Sequence, residues 1–238
     1  MARDSLFILL SCVAAVYPSP KAALAQQNNR PLVKITTPEA GRRYPLTTLI
    51  PYVIEVSDKE DGESRYDEIN TLEVYLTVRY VEDASQATNA RKEANEPDVP
   101  GFVLLQKSNC VNCHAFNEPK IGPSYAEITR RYPPSKANET TLAKKILDGS
   151  TGVWGNMVMP AHPELTMEQT QQIVSWIFQK TQDGKSNYYS GANGAIRLTI
   201  PAGASPGGVF IMRASYTDHG AGKDTPLQGT DVVVINEQ

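Results

Sequence analysis

The sequence predicts an α+β chain in which an all-α segment interrupts a β-sandwich built from the N- and C-terminal parts. Three observations carry this. Apolar and polar residues alternate between Leu32 and Tyr80; apolar residues recur at helical spacing between Gly101 and Thr181; alternation returns from Ile196 to Ile235. With 238 residues, 40% of them hydrophobic, the chain is long enough for one or two packed domains.

The N-terminus reads as an export signal over residues 1–25. Arg3 gives a thin positive region, Leu6 to Val16 is apolar, and Ala23-Leu24-Ala25 is a small-x-small cleavage site. The apolar run is too short to span a bilayer as a helix, and no other stretch is long enough. Leu9-Leu10-Ser11-Cys12 resembles a lipobox, so lipid anchoring at Cys12 is the rival reading.

Three strands follow: Lys34 to Pro38, Tyr52 to Val56, and Leu72 to Tyr80. The cluster Asp58 to Glu63 lies between the second and third. Its spacing matches no calcium-loop signature, so it reads as a solvated turn in preference to a calcium site. Glu82 to Pro100 is polar, contains Pro97 and Pro100, and reads as a linker.

Helices are expected over Gly101 to Lys107 and over Thr140 to Asp148, with Gly149 just past the second. A third is expected over Thr166 to Thr181, where Thr166-x-x-Gln169 forms a capping box and Ile173, Trp176 and Ile177 form one stripe. The final strands are Ile196 to Ile200, Val209 to Tyr216 and Val232 to Ile235.

Formal net charge is −3, which gives no case for nucleic-acid binding. Residues 97–185 carry nine basic and eight acidic side chains, whereas residues 26–96 carry nine and thirteen. The middle segment is electrostatically distinct.

Chemistry concentrates at Cys110-Val111-Asn112-Cys113-His114, a C-x-x-C-H sequence of the kind that attaches haem c. The two thiols add across the vinyl groups of one haem edge, which leaves the next imidazole beneath the iron. From three Cys and three His, chance yields about 0.0005 occurrences in a chain of this length. Zinc needs about four ligands, and outside the motif only His162, His219 and carboxylates remain. A redox dithiol would follow a strand, whereas this pair follows a helix.

A closed iron also needs a sixth ligand, and Gly152 to Pro160 is where a thioether is available, from Met157 or Met159. Residues 101–181 resemble class I cytochromes c of the small bacterial type. The resemblance rests on Cys110 to His114, on Ile121-Gly122-Pro123, on Gly152 to Pro160, and on the closing helix with Trp176. It covers about a third of the chain.

The resemblance implies one covalent haem c held by Cys110 and Cys113, with His114 as proximal and Met159 as distal ligand. Met159 directly precedes Pro160, and Met157 then packs against the ring. It further implies that the Pro123 carbonyl accepts the second imidazole N–H, that the Trp154 indole meets a propionate, and that Gly101 and Trp176 mark a close helix crossing. Arg130 and Arg131 are candidate propionate partners. His162 stands where relatives often carry an Asn bonded to the ligand sulfur, and a His/His iron would have a much lower potential.

Such a crossing brings the segment's ends together, so it can be inserted in a surface loop of another domain. The expected organisation is a discontinuous sandwich over 26–96 and 186–238, with the haem domain at 97–185. Together the six strands have the strand count of an immunoglobulin-like sandwich. Val56-Ser57-Asp58 and Ala214 to Asp218 are similar to PKD or fibronectin-type modules. Two separate β pieces are the alternative.

The expected function is single-electron transfer in the periplasm, as a carrier or as the haem subunit of a complex. Domains similar to this one accompany periplasmic dehydrogenases, so a dehydrogenase is the expected donor and another cytochrome or an oxidase the expected acceptor. No catalysis is expected of the chain itself. The alternatives are a haem sensor or peroxidase-like enzyme with a displaceable Met159, and a binding sandwich with accessory haem. The last would need an exposed aromatic platform, for which Tyr188-Tyr189 is the candidate.

Overall fold

The computed structural model describes residues 27–221 and 225–237. The expected export signal and Cys12 lie outside the described residues. The N-terminal part forms β1 (Leu32–Thr37), β2 (Arg43–Tyr44), β3 (Leu49–Asp58), β4 (Gly62–Glu63) and β5 (Tyr75–Val81). The middle forms α1 (Ala87–Ala94), α2 (Pro100–Lys107), α3 (Cys110–Cys113), α4 (Tyr125–Arg131) and α5 (Lys136–Asp148). The short strands β6 (Ser150–Gly152) and β7 (Gly155–Met159) and the helix α6 (Met167–Asp183) complete it. The C-terminal part adds β8 (Ser186–Ser190), β9 (Asn193–Arg197), β10 (Val209–Thr217) and β11 (Gln228–Glu237).

Two sheets flank one apolar core. In the first, β3 pairs with β1, β4 and β9. The second runs β2-β11-β10-β5-β8. Each sheet draws strands from both ends of the chain. Alternation along β3 sends Ile50, Tyr52, Ile54 and Val56 inward, where they share a core with Phe210, Met212 and Tyr216 of β10.

β10 is buried along its whole length, which its alternation alone does not explain. Its second face is covered by α1: Ala90 packs with Val209, Ile211 and Val232. The stretch read as a linker is therefore partly a helix. Its packing face consists of alanines, Ala87, Ala90 and Ala94, which are too small to stand out among the polar residues around them.

Two strand boundaries also differ from expectation. Leu72 lies in a 3₁₀ turn, Thr71–Glu73, because the Asn70 side chain accepts from Leu72 N at 3.2 Å and starts a turn there. The run from Ile196 leaves the sheet after Arg197, and the Leu198 carbonyl accepts from Thr47 N instead. The turn after β3 is closed from within: Asp58 Oδ1 accepts from the backbone of Glu60 and Asp61, and Asp61 Oδ2 accepts from Tyr216 and His219.

In the helical segment, α6 starts at the expected box. Gln169 N donates to Thr166 Oγ1 at 3.2 Å, and Thr166 N donates to Gln169 Oε1 at 2.8 Å. α2 and α6 cross at Gly101, where a Cβ would overlap the Gln172 carbonyl oxygen and lie 3.2 Å from Trp176 Cβ. Phe102 then stacks on Trp176 with centroids 4.4 Å apart and planes within 5°.

The same helices rest on the second sheet. Tyr75 of β5 meets the edge of Phe102 at 5.0 Å, and Tyr188 of β8 meets Trp176 at 5.0 Å and Phe116 at 4.7 Å. Tyr188 is thus part of this packing, and Tyr189 packs against the sheet core; the pair forms no exposed platform. A buried ion pair joins Arg213 of β10 to Asp98 at 2.9 Å, and Arg213 Nε donates to the Ala94 carbonyl at 2.5 Å.

Gly101→Ala is expected to destabilise the protein by about 2–3 kcal/mol, because the contact it violates is backbone and cannot rotate away. Denaturant unfolding checks this; an unchanged midpoint would contradict the crossing.

Candidate haem site

α3 is a single turn, and it ends by presenting His114. The His114 N–H donates to the Cys110 carbonyl at 2.9 Å, and His114 itself leaves the helix with extended backbone. The loop that follows folds back on it. Gly122 N donates to the Cys113 carbonyl at 2.9 Å, Tyr125 N to Ala115 at 3.0 Å, and Lys120 Nζ to Val111 at 3.0 Å.

This loop grips the imidazole. His114 Nδ1 lies 2.6 Å from the Pro123 carbonyl oxygen. A carbonyl only accepts, so Nδ1 carries the proton and the Nε2 lone pair is free. Gly122 makes the grip possible, because a Cβ there would stand 2.6 Å from His114 Cε1. The Tyr125 ring stacks against the imidazole from another side, centroids 5.7 Å apart. α4, which carries Tyr125, is fixed by a capping box between Ser124 and Glu127.

Cys110, Cys113, His114, Pro123, Trp154 and Met159 all line one predominantly apolar cavity, which encloses about 1090 Å³ counting its open mouth. Met159 reaches it from the β6–β7 hairpin, where Ser150 pairs with Met159 across a turn at Val153-Trp154. Ile173, Val174 and Ile177 of α6 form part of the far wall. Trp154 is 41% exposed, and the Arg131 guanidinium lies 5.1 Å from its ring centroid. Met157 lines the mouth and is 63% exposed.

Other candidates lie elsewhere. Arg130 and Arg131 are exposed on α4 and are not among the lining residues. Lys145 of α5 does line the cavity, and its Nζ donates to Ser150 Oγ at 3.3 Å. The apolar stripe of α5, Leu142 and Ile146, gives no sign in the sequence that Lys145 beside it faces a cavity. His162 is also absent from the lining; its Nδ1 lies 2.8 Å from Glu164 Oε1 and its N–H donates to the Ile146 carbonyl. Tyr125 had no signal in the sequence beyond being an aromatic near a Pro.

Burial sets the electrostatics. It lowers the His114 pKa, with the Pro123 hydrogen bond opposing part of the effect, so the imidazole stays neutral at pH 7. It pushes the Cys110 thiol up to about 12. A reactive dithiol needs a lowered thiol pKa. Among the described residues no group of three His, Cys, Asp or Glu side chains is arranged to hold a metal. An apolar slot with two thiols on one edge and an imidazole and a thioether on its walls fits a haem.

Comparison with known proteins agrees. The cytochrome c family model matches residues 99–180. Cytochrome c-551 of Allochromatium vinosum is 32% identical over 76 residues, covering 32% of this chain and 81% of that protein. Cytochrome c-552 of Hydrogenobacter thermophilus is 35% identical over 74 residues, covering 31% of this chain and 74% of that protein.

The chain belongs to the cytochrome c family.

Its cofactor is one covalently bound haem c. The crystal structure of wild-type Nitrosomonas europaea cytochrome c552 is 33% identical, with a TM-score of 0.31, and covers 32% of this chain and 94% of its own. The family match leaves the strands of both sheets outside it.

Gly122→Ala is expected to cost about 1–3 kcal/mol of stability by overpacking against His114. It should also shift the imidazole away from Pro123. A slowly exchanging ring N–H proton of His114 is expected by NMR in the haem-loaded wild type and should be lost in the variant; its persistence there would contradict the grip described here.

Proposed function

We propose that this cytochrome is a periplasmic monohaem electron-transfer protein in which His114 and Met159 ligate the iron and Cys110 and Cys113 carry the thioether links. The observation that carries the reading is the convergence of these four side chains on one predominantly apolar cavity, with His114 Nδ1 held by the Pro123 carbonyl. Haem bound there supplies a reversible one-electron couple.

The residues divide the work. Pro123 fixes the tautomer and orientation of His114 and makes Nε2 a better donor to iron. A Met159 thioether favours the reduced iron and raises the potential. Trp154 and Lys145 stand at the cavity rim, where a propionate would be met by an indole N–H and an ammonium. Ile121, Met157 and Val158 leave the rim apolar and exposed, which suits brief contact with a redox partner. A periplasmic dehydrogenase is the proposed donor, and another cytochrome or an oxidase the proposed acceptor.

The segments 26–96 and 186–238 are read as one immunoglobulin-like sandwich carrying the haem domain, 97–185, as an insertion. Strands from both ends in each sheet and one shared core support this. Residues 1–25 are read as the export signal, with anchoring at Cys12 as the alternative. No helix among the described residues is long and apolar enough to cross a membrane.

The test is the oxidised absorption spectrum of the haem-loaded protein. The thioether–iron band near about 695 nm should be present, should vanish in Met159→Ala, and should survive in Met157→Ala. Loss in Met157→Ala alone would reassign the ligand. Absence of the band from the wild type would overturn the His/Met reading.

A further inference from the structure

Two buried hydroxyls close to His114 have no hydrogen-bond partner among the described residues. They belong to Tyr75 and Tyr125, which are 3% and 5% exposed. Tyr125 is the ring stacked on the imidazole. Tyr75 comes from β5, outside the family match, and enters the haem segment's core beside Phe102. Both tyrosines, Val111 and His114 line a second cavity between the sheet and the helices. Desolvation holds both phenols well above their ordinary pKa, so both hydroxyls keep their protons. The attachment cysteine, Cys110, packs against the same apolar cluster as both rings.

A buried donor without an acceptor is costly, and native chains keep few. Phenylalanine at position 75 would fill the same space against Phe102 without that cost. The face of β5 that carries Tyr75 is turned away from the sheet core, so the sandwich has no use for a hydroxyl there.

We infer that Tyr75 is a haem-tuning residue supplied by the β-sheet, its hydroxyl directing its proton toward the Cys110 attachment edge and raising the reduction potential. This rests on the haem reading above. The positive end of an O–H dipole held in a buried, low-dielectric position favours the electron-rich reduced state over the oxidised one. The sandwich then contributes to the redox chemistry as well as to the packing.

The experiment is a spectroelectrochemical titration of the haem-loaded full chain and its Tyr75→Phe, Tyr125→Phe and Phe102→Leu variants. Tyr75→Phe is expected to favour oxidation by roughly fivefold, a fall of about 40 mV at 59 mV per tenfold, with the ligand spectrum unchanged. Tyr125→Phe should also lower the potential. Phe102→Leu loosens the same cluster without removing a hydroxyl, so it should lower thermal stability and leave the potential nearly in place. An unchanged or raised potential in Tyr75→Phe overturns the inference, as does an equal fall in Phe102→Leu. A wild-type protein without the thioether band overturns the haem reading itself, which is a separate result.

Discussion

The hydrogen bond from His114 Nδ1 to the Pro123 carbonyl spans nine residues of chain and fixes one ring in a cavity with few polar neighbours. Much of the surrounding structure serves to keep that bond in place. Gly122 clears the space beside the ring, the Cys113 carbonyl pins Gly122 N, and the Ser124–Glu127 box anchors the helix that follows. An imidazole free to rotate would offer the wrong nitrogen half the time. A buried one is also kept neutral by desolvation, so its lone pair is available to a metal without first releasing a proton.

The second constraint is aromatic. Trp176 lies at the centre of a cluster that takes Phe102 from α2, Phe116 from the loop after His114, and Tyr188 from β8. Tyr75 reaches the same cluster through Phe102. The helix crossing at Gly101 and the seat of the helices on the sheet are thus one packing problem. The Arg213–Asp98 pair and the Lys107 Nζ to Asp218 carbonyl bond, 2.9 Å, hold the rim of that contact. Removing one partner of the buried pair would leave the other charge uncompensated, so that contact is costly to lose at either end.

Features with a strong local signal were legible in the sequence. The C-x-x-C-H spacing, the Thr166 capping box and the alternation of β3 are each complete within a few residues. The Gly101–Trp176 crossing was legible through family resemblance, since residues 75 positions apart show no joint pattern. What was not legible depends on the second face of an element. α1 packs with alanines, so its helical stripe is faint. β5 is apolar on one face, which defines it as a strand, but Tyr75 and Thr77 on the other face give no hint that a helical layer covers part of it. Tyr188 looked like half of a surface pair for the same reason. Lys145 was invisible as a cavity residue because a lysine on a helix reads as solvated until the loop opposite it is in place.

The proposed function requires a haem iron closed on both sides, by His114 and Met159, so that electrons pass without small molecules binding at the metal. Adding carbon monoxide to the reduced, haem-loaded full chain tests this most directly. The account predicts that the reduced spectrum is unchanged, because Met159 fills the sixth position. Ready formation of a carbonyl complex would contradict it, and would make a sensor or a peroxidase-like enzyme the better description of this chain.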